Sequence, residues 1–198
     1  MAEITGLILA GGLSRRMGGT DKSLLEWQGR PLLDHVAQRL KPQVGSILIN
    51  TNHPADAHRQ AGTVVSDPAD LPAAAGPLLG VATGLRASPT DWLLCVPCDS
   101  PWLPPDLAVR LCAALAGGTT DLAAAWAAGR RQGVFLLLHR RHLAALEAWL
   151  RQGERKVDLW LTAQGVVDVP FADPAAFANL NTPDDWRAAG HASQSANR

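Results

Sequence analysis

Short runs of apolar and branched residues alternate along this chain with longer segments in which apolar residues recur at helical spacing. The short runs, bounded by glycine, proline or polar residues, predict buried β-strands. They lie at residues 4–10, 46–50, 64–65, 92–96, 122–126, 134–138 and 166–170. Apolar residues three and four positions apart predict amphipathic helices. These segments lie at residues 31–40, 78–87, 104–116, 141–150 and 183–189.

The order of these elements predicts a three-layer α/β sandwich, in which helices cover both faces of a mostly parallel sheet. The segment AAGRRQG, residues 127–133, joins two of the strands. Because so short a connection suits an antiparallel hairpin, we expect the sheet to be mixed in its later part. We expect a single domain over residues 1–190 and a disordered tail over residues 191–198. Ligands of such sheets bind at the carboxyl ends of the strands.

Composition and charge narrow the class of protein. The chain has 198 residues, of which 47% are hydrophobic, and its 18 basic residues balance 18 acidic ones. This balance argues against binding to nucleic acid or to an anionic membrane through bulk charge. No apolar run approaches the roughly 20 residues of a membrane span, and no secretory signal is evident. We therefore expect a cytoplasmic protein.

Cysteine spacing offers one candidate site that we do not favour. Cys95 and Cys98 form a C-x-x-C pair, and Cys112 is the third cysteine. Three cysteines do not make a disulfide framework in a chain of this size. A redox pair or half of a zinc site are the alternatives, but a second pair of zinc ligands at suitable spacing is missing. Two inert thiols at the end of a buried strand are the simpler interpretation.

The loop after the first strand, AGGLSRRMGGTDK, has the chemistry of a polyphosphate site. Gly11 and Gly12 let backbone N–H groups approach a ligand closely, and consecutive amides can form an anion-binding concavity. Arg15, Arg16 and Lys22 add positive charge suited to phosphate oxygens. The spacing matches neither a Walker-type loop nor the G-x-G-x-x-G fingerprint. A solvated turn with ordinary surface charges is the alternative.

Asp99 strengthens the polyphosphate interpretation. It follows the strand at residues 92–96 and is therefore expected at the same edge of the sheet as the glycine loop. Magnesium beside a bound polyphosphate is usually held by one or two carboxylates, phosphate oxygens and water. Without the upstream loop, a plain turn aspartate would be the better interpretation of Asp99.

Several segments together resemble the molybdenum cofactor guanylyltransferase family, also called the MobA family. The resemblance extends from about residue 4 to residue 186 and is carried by LILAGGLSRRMGGTDKSLL, GRPLLDHV, ILIN, SDPAD, GPLLG, VPCDSP, GERKV and FANLNTPDDW. The first motif alone is shared by many small-molecule nucleotidyltransferases. The LAGG start, the PCDSP strand end and the NLNTP segment narrow the resemblance to this family.

The resemblance implies a fold, an activity and a set of site residues. It implies a Rossmann-like nucleotidyltransferase sandwich that transfers GMP from GTP to the molybdopterin cofactor, requires Mg²⁺ and releases pyrophosphate. By the same resemblance, the catalytic residues are Lys22, Arg16 and Asp99, of which Asp99 holds the metal. The implied GTP contacts are Leu9, Ala10, Gly11, Gly12, Lys22, Asn50, Asp67, Gly76, Gly80 and Asp99. Asn181 is implied near the metal or the acceptor, with an Asn-type turn as its alternative.

Some features depart from the family or leave other functions open. Many members carry His-Pro where this chain has Gln132-Gly133, in a region expected on the cofactor side. The resemblance also implies that cofactor insertion and maturation proteins are partners. A cytidylyltransferase for the same cofactor or another small-molecule nucleotidyltransferase is the nearest alternative, although such enzymes usually begin with LAAG. A non-catalytic carrier of nucleotide or cofactor is the alternative from another class; it could dispense with Asp99.

Overall fold

The computed structural model describes residues 3–11, 21–73, 75–118, 120–181 and 185. The strands are β1 (Ile4–Leu9), β2 (Glu26–Trp27), β3 (Arg30–Pro31), β4 (Ser46–Asn50), β5 (Thr63–Val65), β6 (Trp92–Pro97), β7 (Leu122–Ala127), β8 (Arg130–His139) and β9 (Val167–Pro170). The helices are α1 (Leu32–Leu40), α2 (Asp56–Ala61), α3 (Pro77–Ala87), α4 (Leu107–Leu115), α5 (Leu143–Arg151) and α6 (Val157–Ala163). Strands and helices therefore follow one another along the chain largely as the apolar pattern predicts.

A mixed sheet organises the fold, with strand order β5-β4-β1-β6-β8-β7-β9. Strands β1, β4, β5 and β6 are parallel, whereas β8 runs antiparallel to both β6 and β7. Strand β9 pairs in parallel with β7. The prediction of a parallel first half, a hairpin and a mixed later part is confirmed. The hairpin turns at Ala128 and Gly129, which both have positive φ.

Helices cover both faces of this sheet and give the three predicted layers. Apolar side chains of α1 and α4 pack with Ile8, Ile49 and Val96 on one face. Side chains of α3, α5 and α6 pack with Leu7, Leu48 and Leu93 on the other. Neighbouring residues of one strand thus enter different cores, because side chains alternate across a strand. Within the described ranges, no helix combines the length and apolar character needed to cross a bilayer.

Several local details differ from the sequence-based expectations. Helix α2 was not predicted because its sequence DAHRQA is polar and buries only His58. Helix α6 and the short β2–β3 hairpin were also not predicted. The predicted helix at residues 104–116 begins only at Leu107, so Asp106 precedes the first turn and makes no capping hydrogen bond. The predicted helix at residues 183–189 and the predicted tail fall largely or wholly outside the described residues.

Candidate active site

The carboxyl ends of three parallel strands meet at one edge of the sheet and position the candidate site. Leu9, the last residue of β1, is paired with Asn50 of β4 on one side and with Pro97 of β6 on the other. The N–H of Ala10 continues the pairing by donating to the Asn50 carbonyl at 2.9 Å. The residues that follow these strands are therefore neighbours, as expected for ligand-binding loops of a parallel sheet.

Lys22 is the centre of a polar cluster at this edge. It begins a 3₁₀ turn, Lys22–Leu24, and its Nζ lies 2.5 Å from Oδ2 of Asp99. The same Nζ donates to Oδ1 of Asn181. The side chains of Lys22 and Asp99 are only 12% and 13% exposed, so water screens this ion pair less than it screens a surface pair. The structure thus brings together three residues that lie far apart in the sequence.

Asn181 reaches this cluster because residues 179 and 180 are hydrogen-bonded to the turn that contains Asp99 and Ser100. The N–H of Leu180 donates to the Asp99 carbonyl at 2.9 Å, and the Ser100 hydroxyl donates to Oδ1 of Asn179 at 2.7 Å. Leu180 itself is buried against Leu32. The NLN segment therefore lies directly beside the end of β6. The backbone N–H of Asn181 donates to the Asp185 carboxylate at 2.9 Å, which leaves the Asn181 side chain to Lys22.

The donor atoms of this cluster fit a magnesium ion shared with a phosphate ligand. Oδ2 of Asp99 and Oδ1 of Asn181 already face one cation, the Lys22 ammonium. Oδ1 of Asp99 is buried and has no hydrogen-bond partner among the described residues. No group of three or more His, Cys, Asp or Glu that could hold a metal by itself occurs within the described residues. Mg²⁺ does not require one, since it is commonly held by one or two carboxylates together with substrate phosphates.

A cavity of about 550 Å³ lies at the carboxyl ends of β1, β4 and β6. Six of the residues implied to contact GTP line it: Leu9, Gly11, Asn50, Asp67, Gly76 and Gly80. Its volume lies within the range of about 300–1,000 Å³ that small-molecule sites usually have. Asn52 and His53, which follow the end of β4, also line the cavity. Neither residue was assigned a role from the sequence, although the polar run after this strand was the available signal.

Asp67 organises the wall of this cavity. Its carboxylate accepts hydrogen bonds from Nδ2 of Asn50 at 2.9 Å, Nδ2 of Asn52 at 2.8 Å and the Thr83 hydroxyl at 3.0 Å. Because Nδ2 of Asn50 donates to Asp67, the orientation of the Asn50 amide is assigned. Oδ1 of Asn50 then lies beside Gly11 and Gly80, where it can act as an acceptor. Asp67 thus lines the cavity itself and also fixes the side chains of Asn50 and Asn52 in its wall.

Two glycines shape the cavity in different ways. At Gly80, an added Cβ would lie 2.5 Å from both Oδ1 of Asn50 and Cδ2 of Leu9. Gly80 therefore lets helix α3 approach the strand ends closely. Gly76 precedes α3 with a φ of 72°, a conformation that glycine adopts without strain. Both glycines thus have backbone roles that do not require direct contact with a ligand.

A second cavity, of about 620 Å³, adjoins the first on the side of Asn181. The two cavities share three lining residues, Pro77, Pro97 and Val134. Gln132 and Gly133, the positions that depart from the family, line this second cavity. A larger cavity of about 730 Å³ lies beside α4, and none of the implied site residues lines it. Of the Lys22 cluster, Asn181 lines the second cavity, and Pro97, two residues before Asp99, lines both cavities.

The remaining sequence candidates divide into three groups. Ala10 is buried in the core and does not line the cavity, so only its backbone belongs to the site. Gly12 and Arg16 lie outside the described residues. Cys95 and Cys98 pack in different cores on the two faces of the sheet, and burial raises the pKa of both thiols. Their environments are those of structural thiols.

Comparison with known proteins identifies the family. A family model described as a MobA-like NTP transferase domain matches residues 6–165. A protein of Cupriavidus metallidurans named molybdenum cofactor guanylyltransferase is 45% identical, over 92% of each chain. One of Shewanella halifaxensis with the same name is 40% identical, over 96% of each chain.

A solved structure independently supports the fold. The molybdopterin-guanine dinucleotide biosynthesis protein A of Archaeoglobus fulgidus superposes with a TM-score of 0.77, covering 96% of this chain and 99% of that one. Its sequence is only 19% identical, so the likeness concerns the fold. Because the family model spans most of the chain and both relatives align over more than nine-tenths of it, the protein belongs to the MobA-like NTP transferase family and is a nucleotidyltransferase.

Proposed function

We propose that this protein transfers GMP from GTP to the molybdopterin cofactor, giving the guanine dinucleotide form and pyrophosphate. The names of its relatives support the choice of reaction and substrates. The observation that carries the proposal is the cluster of Lys22, Asp99 and Asn181 at the sheet edge where two adjoining cavities lie, the second of which is lined by Asn181. In this arrangement the nucleoside of GTP occupies the cavity lined by Asn50, and the acceptor occupies the cavity lined by Gln132.

The reaction needs electrostatic help more than proton transfer. An oxygen of the acceptor phosphate forms a bond to the α-phosphorus of GTP, and the bond from that phosphorus to the β-phosphate oxygen breaks. Pyrophosphate leaves with the electron pair, and no proton has to be removed from the nucleophile. The main obstacle is repulsion between two anionic substrates, so fixed positive charge and fixed geometry lower the barrier.

Lys22 is the residue to which we assign that positive charge. Its ammonium is held at 2.5 Å from Asp99, so its position is set before a substrate arrives. Burial of both side chains keeps the local dielectric low, which strengthens the interaction of Lys22 with phosphate oxygens. A preorganised cation loses little free energy to reorganisation as charge develops on the pyrophosphate. We assign Lys22 to transition-state stabilisation rather than to uniform binding of GTP.

We further propose that Asp99 and Asn181 hold Mg²⁺ together with phosphate oxygens of GTP. The buried Oδ1 of Asp99, without a partner among the described residues, supports this assignment. When bound, Mg²⁺ supplies positive charge and a template for the triphosphate. The Lys22 ammonium would keep its contact with Oδ2 of Asp99 and would face the phosphate oxygens from there. Asp99 thereby serves as the common partner of both cations.

The wall organised by Asp67 supplies polar contacts for the nucleoside. The guanine edge presents two neighbouring donors, N1–H and the exocyclic amine, so it pairs with acceptor atoms. Asn50 offers Oδ1 as an acceptor because its Nδ2 is committed to Asp67. We propose that Asn50 contacts the nucleoside directly and that Asp67 fixes its orientation. Backbone carbonyls of the cavity are the other acceptors available to guanine.

The experiment that tests the proposal measures pyrophosphate release by the purified protein. The reaction contains Mg²⁺, molybdenum-loaded molybdopterin and either GTP or CTP at equal concentration. We expect release with GTP and cofactor together, and release with CTP at least tenfold slower, about 1.4 kcal/mol of discrimination. Faster release with CTP would favour the cytidylyltransferase alternative. Binding of GTP without pyrophosphate release would favour the carrier alternative and contradict the proposal.

A further inference from the structure

A series of buried hydrogen bonds connects helix α2 to the 3₁₀ turn that contains Lys22. The N–H of Ala55 donates to Nδ1 of His58 at 3.0 Å, and Nε2 of His58 lies 2.8 Å from the Ser23 hydroxyl. That hydroxyl lies 2.6 Å from Oδ1 of Asp21. His58 and Ser23 are fully buried. We call these contacts the His58–Ser23–Asp21 chain.

The direction of each hydrogen bond in this chain is fixed by chemistry. A backbone N–H can only donate, so Nδ1 of His58 is the acceptor and the ring proton resides on Nε2. Nε2–H therefore donates to the Ser23 oxygen. The single hydroxyl hydrogen of Ser23 then donates to Asp21, which also accepts from the backbone N–H of Ser23 at 2.9 Å. Reversing the His58–Ser23 bond would put the ring proton on Nδ1, where it faces the Ala55 N–H, and would leave the Ser23 and Asp21 oxygens facing each other; each unsatisfied buried group costs about 1–3 kcal/mol.

Asp21 and Ser23 are the two neighbours of Lys22, so the chain holds the backbone on both sides of it. A lysine ammonium is attached through a long stem with several rotatable bonds, and its position depends on where its Cα is held. Backbone bonds alone hold the turn weakly, since the N–H of Leu24 and of Leu25 reach carbonyls only at 3.2 and 3.3 Å. The His58–Ser23–Asp21 chain is therefore the main restraint that we find on the backbone at Lys22, while Asp99 and Asn181 hold its ammonium.

We propose that His58, which lies on α2 and does not line either cavity of the site, is a positioning residue for Lys22. It acts through Ser23 and Asp21 to hold the Lys22 ammonium against Asp99. The inference that this placement affects catalysis rests on the proposed function. The inference that the chain restrains Lys22 does not, because it concerns only the contacts of the folded protein. Each part therefore has its own readout.

Two substitutions of His58 separate its two hydrogen bonds. His58→Gln places an N–H near the position of Nε2 and keeps the donor to Ser23, but it loses the acceptor for Ala55. His58→Asn places an oxygen near Nδ1 and keeps that acceptor, but it loses the bond to Ser23. Both variants remove a buried ring and should lower Tm. Ser23→Ala breaks the chain at its next member, and Gln60→Ala, on an exposed position of the same helix, is the control.

The kinetic test compares kcat and KM for GTP among these variants. We expect kcat to fall about tenfold in His58→Asn and in Ser23→Ala, with KM within about twofold, because small displacements of a catalytic group cost rate. His58→Gln and Gln60→Ala should keep kcat within about twofold of the unmodified protein. The double variant Ser23→Ala/His58→Asn should be no slower than either single variant. If His58→Gln were as slow as His58→Asn, or if neither Ser23→Ala nor His58→Asn were slow, the positioning role would be wrong.

A second readout does not depend on activity. Acetic anhydride labelling followed by mass spectrometry measures the reactivity of Lys22, with the exposed Lys41 as an internal reference. Relative to Lys41, Lys22 should be labelled several-fold faster in His58→Asn and Ser23→Ala than in the unmodified protein and His58→Gln. This labelling pattern in a protein that releases no pyrophosphate would refute the proposed function and keep the restraint. Normal turnover with equal labelling in all variants would refute the restraint.

Discussion

Substitution of Gly80 by alanine is a sharp test of the cavity lined by Asn50. The new Cβ would lie 2.5 Å from Oδ1 of Asn50 and from Cδ2 of Leu9, about 0.9 Å closer than the 3.4 Å at which ordinary contact begins. Leu9 can move its side-chain tip, but Asn50 is held through its bond to Asp67 and through strand pairing. The new methyl group therefore displaces Oδ1 of Asn50, the acceptor atom that we assign to the nucleoside.

The size of the effect on stability and on GTP binding can be estimated from the cost of overpacking and from its position next to Asn50. Overpacking of a close-packed site costs about 1–3 kcal/mol, which corresponds to a fall in Tm of about 2–12 °C for a domain of this size. If about 1.4 kcal/mol of this cost is lost from the binding free energy of GTP, KM for GTP rises about tenfold. The value of kcat should change less than about twofold, because Lys22 and Asp99 are not displaced.

Helix α3 offers a matched control one turn further along. At Gly84 an added Cβ would also lie 2.5 Å from its nearest neighbour, but that neighbour is Cδ2 of Leu7 in the core. Gly84→Ala should therefore lower Tm to a similar extent and leave KM for GTP unchanged. Steady-state pyrophosphate release and thermal unfolding measure both quantities. Equal KM values for the two variants would refute the assignment of the Asn50 wall to the nucleotide.

Two further predictions concern Lys22 and the cysteines. Lys22→Ala should lower kcat about 10²-fold at saturating GTP, measured by pyrophosphate release, because a preorganised cation acts mainly in the transition state; a rise in KM alone would make Lys22 a uniform binder. At pH 8 a thiol reagent that releases a coloured product should titrate at most one cysteine of the folded protein, Cys112, and three after denaturation, because burial raises the pKa of the Cys95 and Cys98 thiols. Rapid labelling of two thiols in the native protein would revive the redox interpretation.

The apolar pattern was sufficient to predict most of the fold. Runs such as residues 92–96 are apolar on both faces because they lie in the middle of a parallel sheet, and this makes them visible in a single sequence. Helix α2 was not visible because it buries little more than His58, so its residues show no apolar periodicity. The start of α4 was placed too early because Pro104 and Pro105 are compatible with a first helical turn, although here they precede it.

The site was predictable only where chemistry follows a strand directly. Asp99 and the glycine loop were expected at one sheet edge, and the structure brings Lys22 to 2.5 Å from Asp99. The position of Asn181 depends on the tertiary bond from Leu180 to Asp99, which sequence spacing cannot reveal. His58 was missed for the same reason: its partner Ser23 lies 35 residues away, and both are ordinary polar residues when the chain is considered alone.

Asp99→Asn provides the most direct test of the central claim, that Asp99 and Lys22 act together on one nucleoside triphosphate. The substitution keeps the size of the side chain and removes its charge, so thermal unfolding serves as the control for the fold. At saturating GTP, cofactor and Mg²⁺, we predict that kcat for pyrophosphate release falls at least about 10²-fold, or about 2.7 kcal/mol. Turnover within about threefold of the unmodified protein would contradict the account.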